Sequence, residues 1–328
     1  MPLSESRNLL KSKWVLKWKM IGGSKDVKGR LVAQGFQDRQ SISTFAGTTS
    51  RWGQRIIIAL ATQFGWPLYS ADISEAFLRG ITFEELSKED SSQPLRVVEI
   101  ALPMGTEELL QSFPGYEGYN SGTECLSLLK PGFGLKDAPR LWNAALQRVL
   151  RKCGLCAVQT DRQLFVKHKN GKLILALSVH VDDIKMTGLD DEIKAVLKTL
   201  SEHFDELKLE RDNFEHLGLK HVLESDGSRS ISQEHYVKEL RFISEAECRN
   251  DVEVSPAVRS QFMSLLGGIA WTVQTRPDIA VFTSALQRKL QAPSGKDVVH
   301  LNRVLAYLKR KPLKMTYKKV EQIGRAHV

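Results

Sequence analysis

The stretch VHVDDIKMTG, residues 179–188, places two adjacent aspartates at the end of an apolar run. That run begins with LILALSV at Leu173 and has the length and composition of a buried strand. Ionised carboxylates are costly to bury and repel each other, so the pair needs some form of compensation. Asp182 and Asp183 therefore lie either on a solvated turn or around a bound cation.

The segments on both sides of this stretch predict antiparallel hairpins. RQLFVKHK and KLILALSVHV have strand character and are joined at Asn170-Gly171, a dipeptide that favours a tight turn. IKMTG then predicts a return strand, which would put Asp182 and Asp183 at the tight end of a second hairpin. Further strands are predicted in KWVLKWKM (13–20), KDVKGRLVAQGF (25–36), PLYSADIS (67–74), VVEIALP (97–103) and CLSLL (125–129).

Segments with helical spacing of apolar residues alternate with these strands and make up most of the C-terminal third of the chain. Helices are predicted in WGQRIIIALATQF (52–64), PRLWNAALQRVLRKCG (139–154), DDEIKAVLKTLSEHF (190–204), HYVKELRFIS (235–244), FMSLLGGIAWTVQT (262–275), DIAVFTSALQRKL (278–290) and DVVHLNRVLAYLKR (297–310). A further hairpin is predicted around Asp226-Gly227. Because hairpins outnumber crossover connections, the pattern indicates an α+β domain with an antiparallel sheet, followed by a helical module.

Charge is distributed unevenly along the 328 residues, which carry a net charge of +9. Residues 1–60 and 255–315 are strongly basic, whereas the middle of the chain is acidic. Two basic flanks suit a polyanion such as nucleic acid, although lysines also simply solvate helix faces. No apolar stretch is long enough to span a membrane, and residues 1–14 lack the apolar core of a signal peptide, so a cytoplasmic or nuclear location is expected.

A third carboxylate extends the cation interpretation. Asp72 follows an apolar strand in YSADIS and precedes a predicted helix or turn, so it can lie at the same edge of a sheet as Asp182 and Asp183. Three carboxylates can hold two divalent cations about 3.5–4 Å apart, and Mg²⁺ is the ion that prefers such oxygen ligands. Composition alone favours the solvated turn, because paired aspartates in turns are common.

Several motifs, taken in order, resemble the reverse transcriptases of Ty1/copia-type retrotransposons. These are KWVLKWK with KGRLVAQGF, SADISEAFLRG, GFGLKDAPRLWN, VHVDDIKMTG, and SLLGGIAWTVQTRPDIA with LNRVLAYLK. The resemblance covers nearly the whole chain and implies a right-hand polymerase. Residues 10–240 would form fingers and palm, and residues 241–319 a helical thumb or connection segment leading toward an RNase H region.

The resemblance also implies roles for individual residues. Asp72, Asp182 and Asp183 would be catalytic ligands of two Mg²⁺ ions, with Mn²⁺ as an alternative. Phe77 would exclude the 2′-hydroxyl of an incoming nucleotide, and Lys28 and Arg30 would meet its triphosphate. The implied partners are an RNA template, a DNA primer and deoxynucleoside triphosphates, and the implied activity is RNA-directed DNA polymerisation.

Two departures from the family pattern keep a catalytically inactive, nucleic-acid-binding relic open as an alternative. His180 stands where the family has tyrosine, near the expected primer end. Asp137 stands where the family commonly has glutamine near the nucleotide, and an acid there would repel a triphosphate. The basic run Lys309, Arg310 and Lys311 is expected to contact nucleic acid. The terminal IGRAHV, residues 323–328, resembles a translated sequencing adapter and is expected to be a non-native tail.

Overall fold

The hairpins and helices that the sequence predicts are arranged in two units in a computed structural model, which describes residues 1–21, 23–89, 95–246, 248 and 251–321. The first unit contains Met1–Gln54 and Ala71–Leu209, and the second contains Arg55–Ser70 and Glu210–Val328. The predicted tail, residues 323–328, lies outside the described residues.

Strands and helices alternate through the first two thirds of the chain. The strands are β1 (Leu9–Ile21), β2 (Ser24–Ala33), β3 (Leu68–Ile73), β4 (Glu99–Ala101), β5 (Leu126–Ser127), β6 (Cys156–Ala157), β7 (Leu164–Lys169), β8 (Lys172–His180), β9 (Asp183–Gly188), β10 (Leu207–Arg211), β11 (Phe214–His216), β12 (Leu219–Leu223), β13 (Arg229–Ser232) and β14 (Met315–Tyr317). The helices are α1 (Arg51–Phe64), α2 (Phe83–Glu89), α3 (Glu107–Gln111), α4 (Ala138–Lys152), α5 (Asp190–Phe204), α6 (Glu234–Glu239), α7 (Pro256–Thr272), α8 (Ala280–Gln287) and α9 (Gly295–Arg310). The result is a mixed α/β structure with several sheets.

The largest sheet has six strands in the order β10-β3-β9-β8-β7-β6. β7, β8 and β9 form consecutive antiparallel pairs, as the sequence predicts, and the β7–β8 turn is at Asn170 and Gly171, both with positive φ. Helix α5 packs against β8 and β9. Ile174 to Val179 and Ile184 to Gly188 are buried, which explains why β8 is almost continuously apolar in sequence.

A second sheet in the first unit is built on a long hairpin. Its strand order is β2-β1-β4-β5, in which β1 pairs antiparallel with β2 and parallel with β4. The hairpin carries the basic residues of the N-terminal segment, and only its end near β4 is buried.

The second unit combines a four-stranded sheet, in the order β11-β12-β13-β14, with helices α6 to α9. Its helices share an apolar core that includes Phe262, Leu266, Ile269, Leu301 and Leu305. Ser294 and Asp297 form a capping box at the start of α9, which fixes where this predicted helix begins. Within the described residues, no helix is both long and apolar enough to cross a membrane.

Two differences from the predicted element boundaries bear on the site or on a long-range contact. Asp72 was expected to end its strand, but β3 runs to Ile73, so Asp72 lies one residue inside the strand. Helix α6 stops at Glu239, although helical spacing was predicted to residue 244. The amide and the carbonyl of Ile243 are instead bonded to the Asn302 side chain at 3.0 and 2.8 Å. A buried asparagine from α9 thus replaces the backbone partners that a longer helix would have supplied.

Candidate active site

The two adjacent aspartates lie at the tight turn between β8 and β9. His180 pairs with Asp183 across the hairpin, which leaves Val181 and Asp182 in the turn. Val181 has a φ of 61°, a left-handed conformation that is strained for a β-branched residue. The indole of Trp142 donates a hydrogen bond to the Val181 carbonyl at 2.7 Å, and Trp142 is 1% exposed. Helix α4 therefore holds the strained turn in place through a buried side chain.

Asp72 reaches this turn because β3 neighbours β9 in the six-stranded sheet. The amide of Ile73 donates to the carbonyl of Asp182 at 3.3 Å, which joins the end of β3 directly to the turn. The sheet thus brings together three aspartates from two segments that lie 110 residues apart in sequence, measured from Asp72 to Asp182.

The pKa values of Asp182 and Asp183 are both raised, in part by the negative charges of the neighbouring carboxylates. Burial raises the pKa of Asp183 to about 6, and the negative charges of Asp182 and Asp72 add to this rise. Burial also raises the pKa of Asp182. The negative charge of Asp72 raises this pKa further, whereas the positive charge of Arg30 lowers it. Negative charge therefore accumulates at the turn without full compensation by the protein.

One cation partner is present on Asp72, whose carboxylate lies 3.4 Å from the ammonium of Lys208 in a largely exposed pair. Among the described residues, no group of three or more His, Cys, Asp or Glu side chains is arranged to hold a metal ion. The donor set is nevertheless of the right chemical type for Mg²⁺, since carboxylate oxygens are its usual protein ligands. A divalent cation bound there would lower the pKa of Asp183, which burial and the neighbouring carboxylates raise.

An aromatic pair and one arginine lie close to the same turn. The guanidinium of Arg30 lies 5.2 Å from the centroid of the Phe133 ring, and Phe133 contacts Phe77 edge-to-face at 6.3 Å. Both phenylalanines are partly exposed. The positive charge of Arg30 also lowers the pKa of Asp182, so Arg30 lies on the side of the hairpin that faces the aspartate turn.

Glycine fixes the position of Phe133. Gly134 has a φ of 87°, and a Cβ there would collide with the carbonyl oxygen of Ala33. The Ala33 amide donates to the Phe133 carbonyl at 2.8 Å, so the GFGLKDAP segment lies directly against the end of β2. The close approach requires glycine, and it sets Phe133 beside Arg30.

The sequence is similar to one known protein family and to several transposon proteins. Residues 104–257 match the family described as reverse transcriptase (RNA-dependent DNA polymerase). The retrovirus-related Pol polyprotein from transposon RE2 of Arabidopsis thaliana is 26% identical over 331 residues, covering 95% of this chain and 21% of that protein. The Pol polyprotein from transposon TNT 1-94 of Nicotiana tabacum is 27% identical over 335 residues, covering 94% of this chain and 24% of that protein.

The chain is similar to these transposon Pol polyproteins along nearly its whole length, and to the reverse transcriptase family over residues 104–257. It spans about a fifth of the length of the curated relatives it matches. A solved structure of telomerase from Candida albicans, in complex with a fragment of telomeric RNA, is similar with a TM-score of 0.38 and 11% identity. That similarity covers 95% of this chain and 62% of the telomerase chain.

Asp137, a predicted nucleotide-binding residue, is a buried ion-pair partner. Its carboxylate accepts from the Nε of Arg96 at 2.8 Å, and the same guanidinium donates to Asp38 at 2.6 Å. All three side chains are at most 2% exposed. The negative charge of Asp137 is thus neutralised by Arg96, a partner that sequence reasoning missed because 41 residues separate the two.

The remaining nucleotide-binding candidates lie on the β1–β2 hairpin. Lys17 pairs with Lys28 across the hairpin, and Val15 pairs with Arg30, so these side chains share one face. Together with Trp18 and Lys19 they line a groove of about 210 Å³. Lys28 and Arg30 are therefore neighbours, as their predicted common role requires.

His180 is partly buried beside the aspartates, and burial lowers its pKa. Lys309, Arg310 and Lys311 lie in the second unit at the end of α9. The Lys309 ammonium donates to the Lys238 carbonyl at 3.0 Å, and the Lys311 ammonium lies 5.9 Å from the Tyr307 ring. Their nucleic-acid role stays a prediction.

Lys185 is a site-adjacent residue that the sequence analysis passed over. It lies on β9 two residues after Asp183, is 1% exposed, and has a pKa lowered by burial to about 7. In the sequence, the only indication was a lysine between two apolar residues, Ile184 and Met186. A lysine at the solvent-exposed edge of a strand gives the same pattern.

Proposed function

We propose that this chain is the RNA-directed DNA polymerase segment of a copia-like retrotransposon Pol polyprotein. It would extend a DNA primer on an RNA template with deoxynucleotides. The observation that carries the proposal is the meeting of Asp72 with the Asp182-Asp183 turn at one end of a sheet, joined through the Ile73 amide and the Asp182 carbonyl. Similarity to the reverse transcriptase family over residues 104–257 supports the reaction class.

In this proposal the architecture is that of a right-hand polymerase. The β1–β2 hairpin belongs to the fingers, the six-stranded sheet to the palm, and helices α7 to α9 to a thumb or connection segment. This assignment is supported by Arg30 on the cationic hairpin, because its positive charge lowers the pKa of Asp182 in the acidic turn.

The three aspartates would hold two Mg²⁺ ions, with Mn²⁺ as an alternative. Bound divalent ions would supply the positive charge that favours an ionised primer 3′-hydroxyl and a departing pyrophosphate. The protein's own part is to fix the carboxylates, and the Trp142–Val181 hydrogen bond supports this role because it anchors the turn that carries two of them.

The residues around the triad would select and orient the nucleotide. Lys28 and Arg30 provide positive charge for a triphosphate, which a planar guanidinium binds well. Phe77 is partly exposed and packed edge-to-face against Phe133, so its ring is held against a rigid neighbour. Such a ring can exclude the 2′-hydroxyl of a ribonucleotide by occupying the space that it needs.

Primer extension on a polyribonucleotide template with Mg²⁺ tests the proposal. Asp72→Asn and Asp182→Asn should each reduce extension by orders of magnitude while template binding stays near the wild-type level. The two losses should not add, because residues that act as one unit give non-additive effects. Asp191→Asn is the matched control, since Asp191 is an exposed carboxylate in the first turn of α5.

If the protein is instead an inactive nucleic-acid-binding relic, the same assay should give a different result. A wild-type protein that binds primer–template but extends nothing would favour the relic. Equal extension by wild type and by Asp72→Asn would refute the assignment of the triad.

A further inference from the structure

Helices α8 and α9 of the second unit pack together and leave a groove between them. The groove has a volume of about 690 Å³ and is called here the α8–α9 groove. Along α9 its lining runs from Asp297 to Tyr307, which corresponds to about 15 Å, or nearly three turns of helix. The groove is therefore long enough to hold a segment of peptide.

The floor of the groove is apolar, and an aromatic ring beside it is uncovered. Ile279 and Leu286 are 1% and 6% exposed and belong to the core that the helices share. Val304 packs against the same core from α9. Phe282, on α8, lines the groove and is 60% exposed. An exposed phenylalanine next to an apolar floor favours an occupant that brings apolar side chains.

The two acidic residues that line the groove are engaged within the second unit. The carboxylate of Asp278 accepts from the guanidinium of Arg276 at 2.7 Å and from the hydroxyl of Tyr307 at 2.8 Å. The carboxylate of Asp297 accepts from the amide and the hydroxyl of Ser294 at 2.9 and 2.7 Å. Asp297 also lies at the positive end of the α9 dipole. The protein itself thus stabilises both negative charges.

The basic residues of the groove are in a different situation. Lys289, in the turn that follows α8, and Arg303, on α9, both line the groove and are exposed. Neither forms an ion pair with another residue in the part of the chain that the structure describes. Their positive charge is therefore available to a partner that carries carboxylates.

The walls of the groove indicate the backbone conformation of the occupant. Both walls are helices, whose interior backbone N–H and C=O groups are already bonded to each other. An extended segment would lie on the apolar floor without partners for its own backbone groups, and such unpaired groups are costly. A helix has its backbone groups paired internally, so it can enter the groove with side chains alone.

We propose that the α8–α9 groove binds an acidic amphipathic helix of a partner protein. The apolar side chains of that helix pack against Phe282 and the floor, and its carboxylates pair with Lys289 and Arg303. A nucleic-acid strand would place charged phosphates over an apolar floor. Two copies of this chain joined groove to groove would bring their own cations together. Charge and polarity therefore both favour the acidic helix.

This inference goes beyond the polymerase proposal, because the groove consists of second-unit residues and includes none of the three aspartates. The probe is a fluorescein-labelled peptide of about 18 residues, since shorter isolated helices are only marginally stable. It carries leucine at every third or fourth position and glutamate elsewhere. Fluorescence anisotropy measures its binding without nucleic acid, nucleotide or divalent ion. Asp72→Asn should bind it like the wild type, so the two proposals can fail separately.

Phe282→Ala tests the apolar part of the proposal, and removal of an exposed side chain carries little risk to folding. The variant should bind the acidic peptide at least about fivefold more weakly, which is about 1 kcal/mol. Val281→Ala is the matched control, because Val281 is 78% exposed on the same helix and does not line the groove. It should bind normally.

Arg303→Glu tests the charge and does not alter the apolar floor. It should weaken binding of the acidic peptide by about tenfold at low salt and by less at high salt, because salt screens exposed charges. Arg288→Glu is the matched control, at an exposed arginine outside the lining at the end of α8. A second peptide with lysine in place of glutamate should bind the wild type much more weakly than the acidic one.

Four results would overturn the proposal. Failure of the wild type to bind the acidic peptide, or equal affinity for the acidic and basic peptides, would show that the groove does not select an acidic helix. Normal peptide binding by Phe282→Ala would place the peptide elsewhere. Loss of oligo(dT) affinity in Phe282→Ala, with peptide binding unchanged, would make the groove a nucleic-acid surface. Sedimentation of the wild type as a dimer that Phe282→Ala dissociates would make the occupant a second copy.

Discussion

Replacing Asp183 with asparagine should make the protein more stable at neutral and alkaline pH while removing a carboxylate of the proposed metal site. Burial, together with the charges of Asp182 and Asp72, raises the pKa of Asp183 from 3.8 to about 6. A rise of that size corresponds to about 3 kcal/mol between the ionised and neutral forms. Because Asp183 is only partly buried, solvent screening reduces the expected gain to about 1–2 kcal/mol.

The sign of the pH dependence follows from where the proton is bound. Between pH 3.8 and about 6 the folded state holds the Asp183 proton more tightly than the unfolded state does. The contribution of this residue to the free energy of unfolding therefore falls as pH rises through that window. Asparagine cannot titrate, so the advantage of Asp183→Asn should be full at pH 8 and should disappear near pH 4.

Urea unfolding followed by circular dichroism at pH 4, 6 and 8, in the presence of a chelator, measures this difference. Addition of Mg²⁺ at pH 8 should then stabilise the wild type more than Asp183→Asn, because ligand binding to the folded state raises its stability. Asp191→Asn should show neither effect. An Asp183→Asn variant that is less stable than the wild type at pH 8, or whose advantage does not change with pH, would refute this account of the site.

Three further substitutions test neighbouring features. Phe77→Val should increase the ratio of ribonucleotide to deoxynucleotide incorporation in primer extension, and a loss of stability with an unchanged ratio would make the ring a packing residue only. Trp142→Phe keeps an aromatic ring but removes the indole N–H that donates to the Val181 carbonyl. We expect kcat to fall with little change in nucleotide KM, and the free energy of unfolding to fall by about 1–3 kcal/mol. An unchanged kcat would contradict the anchoring role. Lys185→Leu should stabilise the protein most below pH 7, since burial lowers the pKa of Lys185 to about 7 and the folded state must otherwise hold a buried ammonium. That advantage should shrink as pH rises from 7 to 10.5, and urea unfolding at pH 6 and 9.5 measures it.

The sequence by itself determined the elements that depend on local pattern. Alternation of apolar residues and the Asn170-Gly171 turn specified β7, β8 and β9, and helical spacing specified α1, α4, α5 and α9. The charged turn after a buried strand drew attention to Asp182 and Asp183, but the pattern alone favoured a solvated turn, and the family resemblance gave the pair its predicted role at a metal site. These features could be predicted because each depends on residues that are close together in the chain.

Only the tertiary structure decided which distant residues meet. The Arg96–Asp137 pair and the Trp142–Val181 hydrogen bond join residues 41 and 39 positions apart, and no local pattern marks either contact. The end of α6 was set by Asn302 on another helix, so local helical spacing gave a helix that was too long. The exposure of Trp18 depends on the packing around the β1–β2 hairpin, because alternation shows which residues share a face but not whether that face is covered. Burial and long-range pairing are properties of the packed chain, which is why they had to be observed.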